Sequence, residues 1–202
     1  MEIPSAYNYE TNEQEKSIDF LDKKRNLSFY FDEEAAASLP EVSQEDIETG
    51  QEKYCLLLGN TQPNEKDENT SVEIKCVLQS EDNEIKFYEE GREYVDINLT
   101  TAQKVVKALQ DGYPEYKNCE LVGEVHTHPV DMGDSKETRN PCLPSKGDFE
   151  SIIQEYENGV LSSKKPFIFG IGGKDGENTV YKFYRIIKDK ENKYGIEEIK
   201  VA

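Results

Sequence analysis

Apolar and polar residues alternate along this chain with two different periods, which predict both strands and helices. Continuous or period-two apolar runs, typical of strands, are "EKYCLLLGN" (52–60), "SVEIKCVLQ" (71–79) and "CELVGEVHTH" (119–128). Helical spacing with a capping residue at the start and a glycine near the end occupies residues 98–114 and 145–159. This mixture of strands and helices favours an α/β or α+β domain.

The same patterns predict the elements between these runs. An acidic start followed by alanines predicts a helix from Asp32 to the residue before Pro40. Residues 60–71 are polar and predict a loop, and residues 84–90 predict a strand that partners 71–79. Within the strand 71–79, the alternation puts four apolar residues on one face and polar residues on the other: Val72, Ile74, Cys76 and Leu78.

The C-terminal part of the chain contains three further strand-like runs, which favour an antiparallel meander: "PFIFGIGG", "TVYKFYRII" and "YGIEEIKV". We therefore expect one mixed β-sheet flanked by helices, formed by residues 31–202. Residues 1–30 are polar and irregular, which predicts a loosely ordered N-terminal arm with a short helix near Glu13 to Lys24.

The charge balance narrows the classes of partner. The net charge is −18, with 42 acidic against 24 basic residues. Such a field repels phosphate backbones and anionic lipid, so we expect neither nucleic acid nor a membrane surface as partner. The N-terminus lacks a basic start followed by an apolar run, and no apolar stretch approaches the about 18 residues of a membrane span. These features predict a cytoplasmic protein, and they fit equally an effector exported without a cleavable signal.

The four cysteines share no CxxC spacing, which is the spacing typical of metal or redox sites. In a chain without a secretory signal, they predict reduced thiols, two or three of them buried in strands.

The chain has two histidines, His126 and His128, and they stand one residue apart in a predicted strand. Side chains two positions apart in a strand point to the same face, so the two imidazoles are expected side by side. Pro129 follows directly and should interrupt strand pairing there. Because neutral imidazole is a common zinc ligand, the pair predicts a metal site that needs one further, anionic ligand.

A candidate third ligand lies at the start of the predicted helix 145–159. Ser145 and Asp148 are three positions apart, so they occupy the first helical turn together. Taken alone, this spacing indicates a capping box, in which each side chain satisfies a backbone N–H of the other. Beside a histidine pair, Asp148 is also a candidate metal ligand.

The combination "HTHP" followed by "SKGD" resembles the H-x-H-P … S-x-x-D signature of the JAMM (JAB/MPN-type) metalloproteases. The resemblance implies the JAB/MPN fold, which is similar to that of cytidine deaminases. It also implies one Zn²⁺ per chain, bound by His126, His128 and Asp148, with water in the open fourth position of a catalytic zinc. The element order is most similar to that of bacterial JAB-like peptidase domains, and the family includes deubiquitinating enzymes.

The resemblance also implies a general base from an upstream strand. In the family this glutamate stands seven positions before a strand-ending glycine, and counting back from Gly59 leads to Glu52. Such a carboxylate takes a proton from the attacking water and passes it to the leaving amine. Glu48 is the runner-up, and Glu124 is a third candidate because it shares strand parity with the histidines. Ser145 would then donate a hydrogen bond to the water or the oxyanion.

The implied function is hydrolysis of a peptide or isopeptide bond in a protein or peptide substrate. The family suggests the C-terminal tail of a ubiquitin-like or sulfur-carrier protein, and the final strands offer an edge for an extended peptide. One departure from the family is the segment 129–144, which is longer than in eukaryotic members and is predicted to be a loop at the rim of the site. A second is Glu124, a polar residue where the family has a bulky one.

Three other interpretations of the same residues remain open. A cysteine peptidase would use Cys142 with His126 or His128 as its base. A purely structural zinc would take Cys142 as its fourth ligand. A catalytically silent MPN-type scaffold would bind protein partners, although such relatives usually lack one or more of the ligands that this chain keeps.

Overall fold

The computed structural model describes residues 19–22, 24–63, 69–79, 88–90, 95–97, 99–131 and 142–202. The strands in these ranges are β1 Asn26–Phe31, β2 Tyr54–Pro63, β3 Asn69–Gln79, β4 Tyr88–Glu90, β5 Val95–Ile97, β6 Glu120–Asp131, β7 Ile168–Asp175, β8 Asn178–Lys188 and β9 Tyr194–Ile199. The helices in these ranges are α1 Glu33–Ala37, α2 Gln44–Thr49, α3 Leu99–Gly112 and α4 Lys146–Glu157. None of the helices in these ranges has the length and apolar character needed to cross a membrane.

Seven of these strands form one mixed sheet in the order β1-β3-β2-β6-β7-β8-β9. The pairs β1/β3 and β6/β7 are parallel, and the other neighbours are antiparallel. The predicted mixed sheet flanked by helices is therefore confirmed, as is the antiparallel meander of the last three strands. β6 lies in the middle of the sheet, and His126 is paired with Tyr54 of β2 on one side and with Ile171 of β7 on the other.

Hydrophobic packing covers both faces of the sheet. On one face, Leu56 and Phe169 pack with Ala102 of α3 and Ile152 of α4. On the other face, the cluster consists of strand residues and Ala35 of α1. Because residues 54–58 of β2 are buried on both faces, this part of the strand is apolar at every position rather than alternating.

The sheet curls so strongly around the second cluster that its two edges meet. Phe29 of β1 forms a parallel bridge with Val201, which follows β9, and the Ala202 N–H donates to the Phe29 carbonyl at 2.8 Å. The rings of Phe29 and Phe183 pack edge to face with centroids 4.9 Å apart. The outer edge of the meander is therefore partly covered by β1 next to Val201, which limits the edge that was expected to receive an extended peptide.

The predicted start of the domain at residue 31 falls inside β1. Residues from Asn26 onward pair with β3, and Phe29 is fully buried in the core, so the sheet begins earlier than the predicted boundary. The polar residues around this short apolar run concealed it in the sequence. Residues 1–18 and Lys23 lie outside the described residues, and most of the predicted short helix falls among them.

Two further predictions need correction. The predicted loop at residues 60–71 is shorter, because β2 extends to Pro63 and β3 begins at Asn69. The strand predicted at 84–90 is described only at residues 88–90, where it pairs with β5 in a separate two-stranded sheet rather than with β3.

The four apolar residues predicted on one face of β3 lie on both faces instead. Val72 and Ile74 belong to the cluster on the α1 side, whereas Cys76 and Leu78 pack against the opposite cluster. The pairing between β2 and β3 shifts register at Lys75, between the partners of Leu58 and Gly59. A β-bulge adds one residue to one strand and so reverses the alternation of faces beyond it.

Gly123 gives a test of how tightly β6 is held in the sheet. A Cβ atom at this position would collide with the backbone carbonyl of Ile168 in β7, whereas a Cβ at the exposed Gly112 would meet nothing within 4 Å. We expect Gly123→Ala to lower the free energy of unfolding by about 1–3 kcal/mol, because close-packed backbones cannot absorb an added methyl group. Urea denaturation measures the effect, with Gly112→Ala as the neutral control. Equal midpoints for the two variants would contradict this packing.

Candidate metal centre

Both histidines of the chain lie on β6 and face the same side of the sheet, as predicted. Their Nε2 atoms are 3.2 Å apart, and their ring centroids are 5.0 Å apart. His126 is 3% exposed, and the side chain of His128 is 17% exposed. The two ring nitrogens are therefore close together and largely shielded from solvent.

Pro129 interrupts pairing as predicted, but β6 does not end there. Its register with β7 runs to Thr127 opposite Gly172 and resumes at Asp131 opposite Lys174. Three residues of β6 thus face a single residue of β7, because proline has no N–H to donate to the ladder. The irregular segment begins at His128. This histidine is therefore not part of the regular pairing of β6 with β7, whereas His126 is.

The first turn of α4 brings Asp148 to the same place. Asp148 Oδ1 lies 3.6 Å from His126 Nε2, and Asp148 Oδ2 lies 3.5 Å from His128 Nε2. The capping box is also present: the Ser145 N–H donates to Asp148 Oδ2 at 2.6 Å, and the Asp148 N–H donates to Ser145 Oγ at 3.1 Å. The carboxylate therefore caps the helix and faces both imidazoles, so the two interpretations of the S-x-x-D spacing hold together.

The environment of Asp148 favours its charged form. Burial alone would raise the pKa of this carboxyl group, but the contacts with His126 and His128 act in the opposite direction. Their charge interaction and the Ser145 N–H add to this effect, so the pKa lies far below its ordinary value. The cluster consequently places one negatively charged carboxylate beside two imidazole nitrogens.

The separations among these donor atoms fit a small divalent cation. Ligand atoms about 2.0–2.1 Å from a tetrahedral zinc lie about 3.3–3.4 Å from one another. The two Nε2 atoms are 3.2 Å apart, and each lies 3.5–3.6 Å from a different oxygen of the Asp148 carboxylate: His126 from Oδ1 and His128 from Oδ2. Within the described part of the chain, this is the one group of three or more such side chains whose ligand atoms lie within 4.8 Å of one another.

The second ring nitrogen of His126, Nδ1, also bears on whether these residues fit a metal ion. Its Nδ1 atom is buried and has no hydrogen-bond partner among the described residues. A buried polar atom without a partner is costly, and metal-binding histidines usually donate this second N–H to water or a carboxylate. No described residue therefore fixes the orientation of the His126 ring through Nδ1, whereas its Nε2 atom faces His128 and Asp148.

Glu52 is half-buried and precedes β2 by two residues. One of its carboxylate oxygens, Oε2, accepts a hydrogen bond from the Tyr54 hydroxyl at 2.9 Å. Tyr54 pairs with His126 across the strands, and the two rings stack with centroids 5.1 Å apart and planes 14° from parallel. Glu52 is thereby linked through one side chain to a proposed metal ligand.

The electrostatics of Tyr54 locate further carboxylates around this link. Burial raises the pKa of the Tyr54 phenol far above its ordinary value, and the charge of Glu52 and its hydrogen bond raise it further. Smaller contributions come from the charges of Glu124 and Asp148. The negative charges of three acidic side chains therefore raise the pKa of the Tyr54 hydroxyl, which stays protonated and donates its hydrogen bond to Glu52.

The other two candidate bases differ from Glu52 in their surroundings. Glu48 is exposed on α2, where it accepts a hydrogen bond from Gln44 Nε2 at 3.4 Å. Glu124 is half-buried on β6 and points to the same face as the histidines, as predicted. The hydrogen bond to Tyr54 distinguishes Glu52 from both.

The surroundings of Cys142 do not favour a nucleophile. The residue is 1% exposed, and its thiol donates to the Val180 carbonyl at 3.3 Å. Burial raises the pKa of the Cys142 thiol, which disfavours the reactive thiolate. Cys142 also does not belong to the cluster of candidate metal ligands. The sequence predicted two or three thiols buried in strands. Three cysteines are buried, but of these only Cys55 lies in a strand; Cys119 and Cys142 lie outside the strands.

Sequence reasoning missed Tyr54 and Thr127. Thr127 is fully buried between the two histidines; its Oγ1 accepts from the Lys53 N–H at 2.9 Å, and its own N–H donates to the Lys53 carbonyl at 3.0 Å. Tyr54 shares strand parity with Glu52, which is the one signal that could have suggested their contact.

Neither the protein-family models nor the curated proteins compared with this chain match it. A functional assignment therefore rests on the geometry of the side chains. Its basis is the convergence of His126, His128 and Asp148, with Glu52 held nearby through Tyr54.

Proposed function

We propose that this chain is a JAMM-type zinc metallopeptidase with the JAB/MPN fold, which hydrolyses a peptide or isopeptide bond. The observation that carries the proposal is the convergence of three side chains: the Nε2 atoms of His126 and His128 are 3.2 Å apart, and each lies 3.5–3.6 Å from an oxygen of the Asp148 carboxylate. The mixed sheet, with these ligands on its central strand and on the first turn of a following helix, is consistent with it.

The donor set favours zinc over magnesium and calcium. Two imidazole nitrogens with one carboxylate oxygen suit zinc, whereas magnesium and calcium prefer oxygen ligands alone. With three protein ligands, a tetrahedral site retains one open position, which is typical of catalytic zinc. When bound there, the ion polarises a substrate carbonyl and makes a coordinated water more acidic.

In this mechanism the protein's residues move protons and stabilise charge. Glu52 takes a proton from the attacking water and delivers it to the leaving amine. Its Oε2 atom accepts from Tyr54, which leaves Oε1 for this proton. Ser145 Oγ accepts from the Asp148 N–H, so its own hydroxyl hydrogen remains available for a developing oxyanion.

The substrate class follows from the chemistry of the site. Carbonyl polarisation together with proton delivery to nitrogen suits hydrolysis of an amide. We extend the proposal to the C-terminal tail of a ubiquitin-like or sulfur-carrier protein, which is the substrate class that the resemblance of the two motifs implies.

Direct assay tests this function. The protein is loaded with zinc and incubated with two probes: ubiquitin carrying a C-terminal aminomethylcoumarin amide, and a proteome-derived peptide library whose new N-termini are read by mass spectrometry. We expect hydrolysis of at least one probe, loss of hydrolysis with a chelator, and recovery when zinc is restored. Binding of zinc without hydrolysis of either probe would favour the silent scaffold.

Cys142→Ala separates the zinc peptidase from the cysteine peptidase and from the structural zinc. We expect the variant to keep its zinc and its rate of hydrolysis within about twofold, because a buried thiol with a raised pKa is a poor nucleophile. Zinc content and initial rates measure this, with alkylation of the native protein by iodoacetamide as an independent check. A rate lost with the thiol but insensitive to chelator would support the cysteine peptidase instead.

A further inference from the structure

Tyr54 contacts both His126 and Glu52, although the proposed mechanism uses it neither as a metal ligand nor as a proton acceptor. It is the first residue of β2 and is paired directly with His126 of β6. Its ring is 6% exposed and stacks on the His126 imidazole at a centroid separation of 5.1 Å. One face of the ring thus covers a proposed zinc ligand.

The hydroxyl of the same side chain reaches Glu52. It donates to Glu52 Oε2 at 2.9 Å. Residues two positions apart in an extended segment point to the same side, so Glu52 and Tyr54 project together towards the histidines. An ionised carboxylate can only accept hydrogen bonds, and a phenol is a suitable donor to it.

The backbone between these two side chains is anchored to β6. The Lys53 N–H donates to Thr127 Oγ1 at 2.9 Å, and the Thr127 N–H donates to the Lys53 carbonyl at 3.0 Å. The Lys53 ammonium forms an ion pair with the buried Asp46 of α2 at 2.9 Å. With the main chain of residues 52–54 fixed in this way, the main remaining freedom of Glu52 is rotation of its side chain.

We infer that Tyr54 is a positioning residue, which uses its hydroxyl to hold the Glu52 carboxylate beside the His126 imidazole on which its ring stacks. This inference rests on the proposed function, because it assigns Tyr54 to the general base of that reaction. A base must lie within hydrogen-bond reach of the proton it removes, and small misplacements of such groups cost up to about a hundredfold in rate. Tyr54 removes this freedom before substrate binds.

Tyr54→Phe removes the hydroxyl and keeps the stacked ring. We expect kcat on the probe peptide to fall about ten- to a hundredfold with KM and zinc content unchanged. In a Glu52→Gln background the same change should cause little further loss, since the base is already absent. Tyr181→Phe is the matched control, because the Tyr181 hydroxyl donates to the Pro40 carbonyl on the opposite face of the sheet.

A second measurement does not depend on activity. In the metal-free protein, the shifts in urea midpoint caused by Tyr54→Phe and Glu52→Ala should be less than additive in the double variant, because each change removes one partner of the same hydrogen bond. Additive shifts, unchanged kcat in Tyr54→Phe, or loss of zinc from that variant would each overturn the inference. Absence of hydrolysis by the wild-type protein would refute the proposed peptidase, while the stability cycle would still decide whether Tyr54 holds Glu52.

Discussion

Replacing His126 with alanine is expected to abolish zinc binding and with it all hydrolysis. The wild-type chain should bind about one zinc ion, and two ligands alone cannot retain it. Zinc affinity should fall by more than about 100-fold, because removing even a residue that only hydrogen-bonds to a metal ligand costs up to about that much. Metal analysis after gel filtration, together with a competition titration against a chromophoric chelator, measures both the content and the affinity.

Folding has to be checked in this variant, because His126 is nearly fully buried and stacks on Tyr54. Circular dichroism and the urea midpoint of the metal-free protein provide that control. Asp148→Asn gives an independent test, since an amide oxygen can still accept the Ser145 N–H and cap α4. It should also weaken zinc binding, because the ligand loses its charge. Full zinc content in both folded variants would refute the ligand assignment.

Glu52→Gln is expected to separate catalysis from metal binding. The variant should retain zinc, because Glu52 does not belong to the ligand cluster. Its kcat should fall by about 10²–10⁴, the usual contribution of a general acid–base group, because an amide cannot take a proton from water. Initial rates at saturating probe concentration, with zinc content measured on the same sample, check the prediction.

Two matched glutamate variants serve as controls. Glu48→Gln changes an exposed residue on α2 and should leave the rate unchanged. Glu124→Gln changes a carboxylate whose charge has a smaller effect on Tyr54 than that of Glu52, so a smaller loss is expected. If Glu124→Gln removed the activity and Glu52→Gln did not, the base would be Glu124, and the assignment to Glu52 would be wrong.

The metal cluster was predictable from the sequence because its features are local. The same-face arrangement of His126 and His128 follows from the period of a strand, and the position of Asp148 follows from the first turn of a helix. The contact between the histidines of β6 and Asp148 of α4 could not be derived from the strand period or the helix period. It was inferred from the resemblance of the two motifs, taken together, to a known signature.

Other features depend on pairing between distant strands, which no local pattern specifies. The contact between Tyr54 and His126 arises from the register of β2 with β6, and a bulge at Lys75 reverses the faces of β3. The place of β1 in the sheet depends on Phe29, one buried residue within a polar segment. In each case tertiary contacts, rather than intrinsic propensity, decide the outcome.

X-ray absorption spectroscopy of the zinc-loaded protein tests the central claim most directly. The account predicts nitrogen and oxygen neighbours at about 2.0–2.1 Å, with the multiple scattering that marks two imidazoles and with no sulfur. A sulfur neighbour at about 2.3 Å would indicate that Cys142 closes the site, as in a structural zinc. A spectrum with no imidazole scattering, or a protein that binds no zinc to measure, would contradict the account outright.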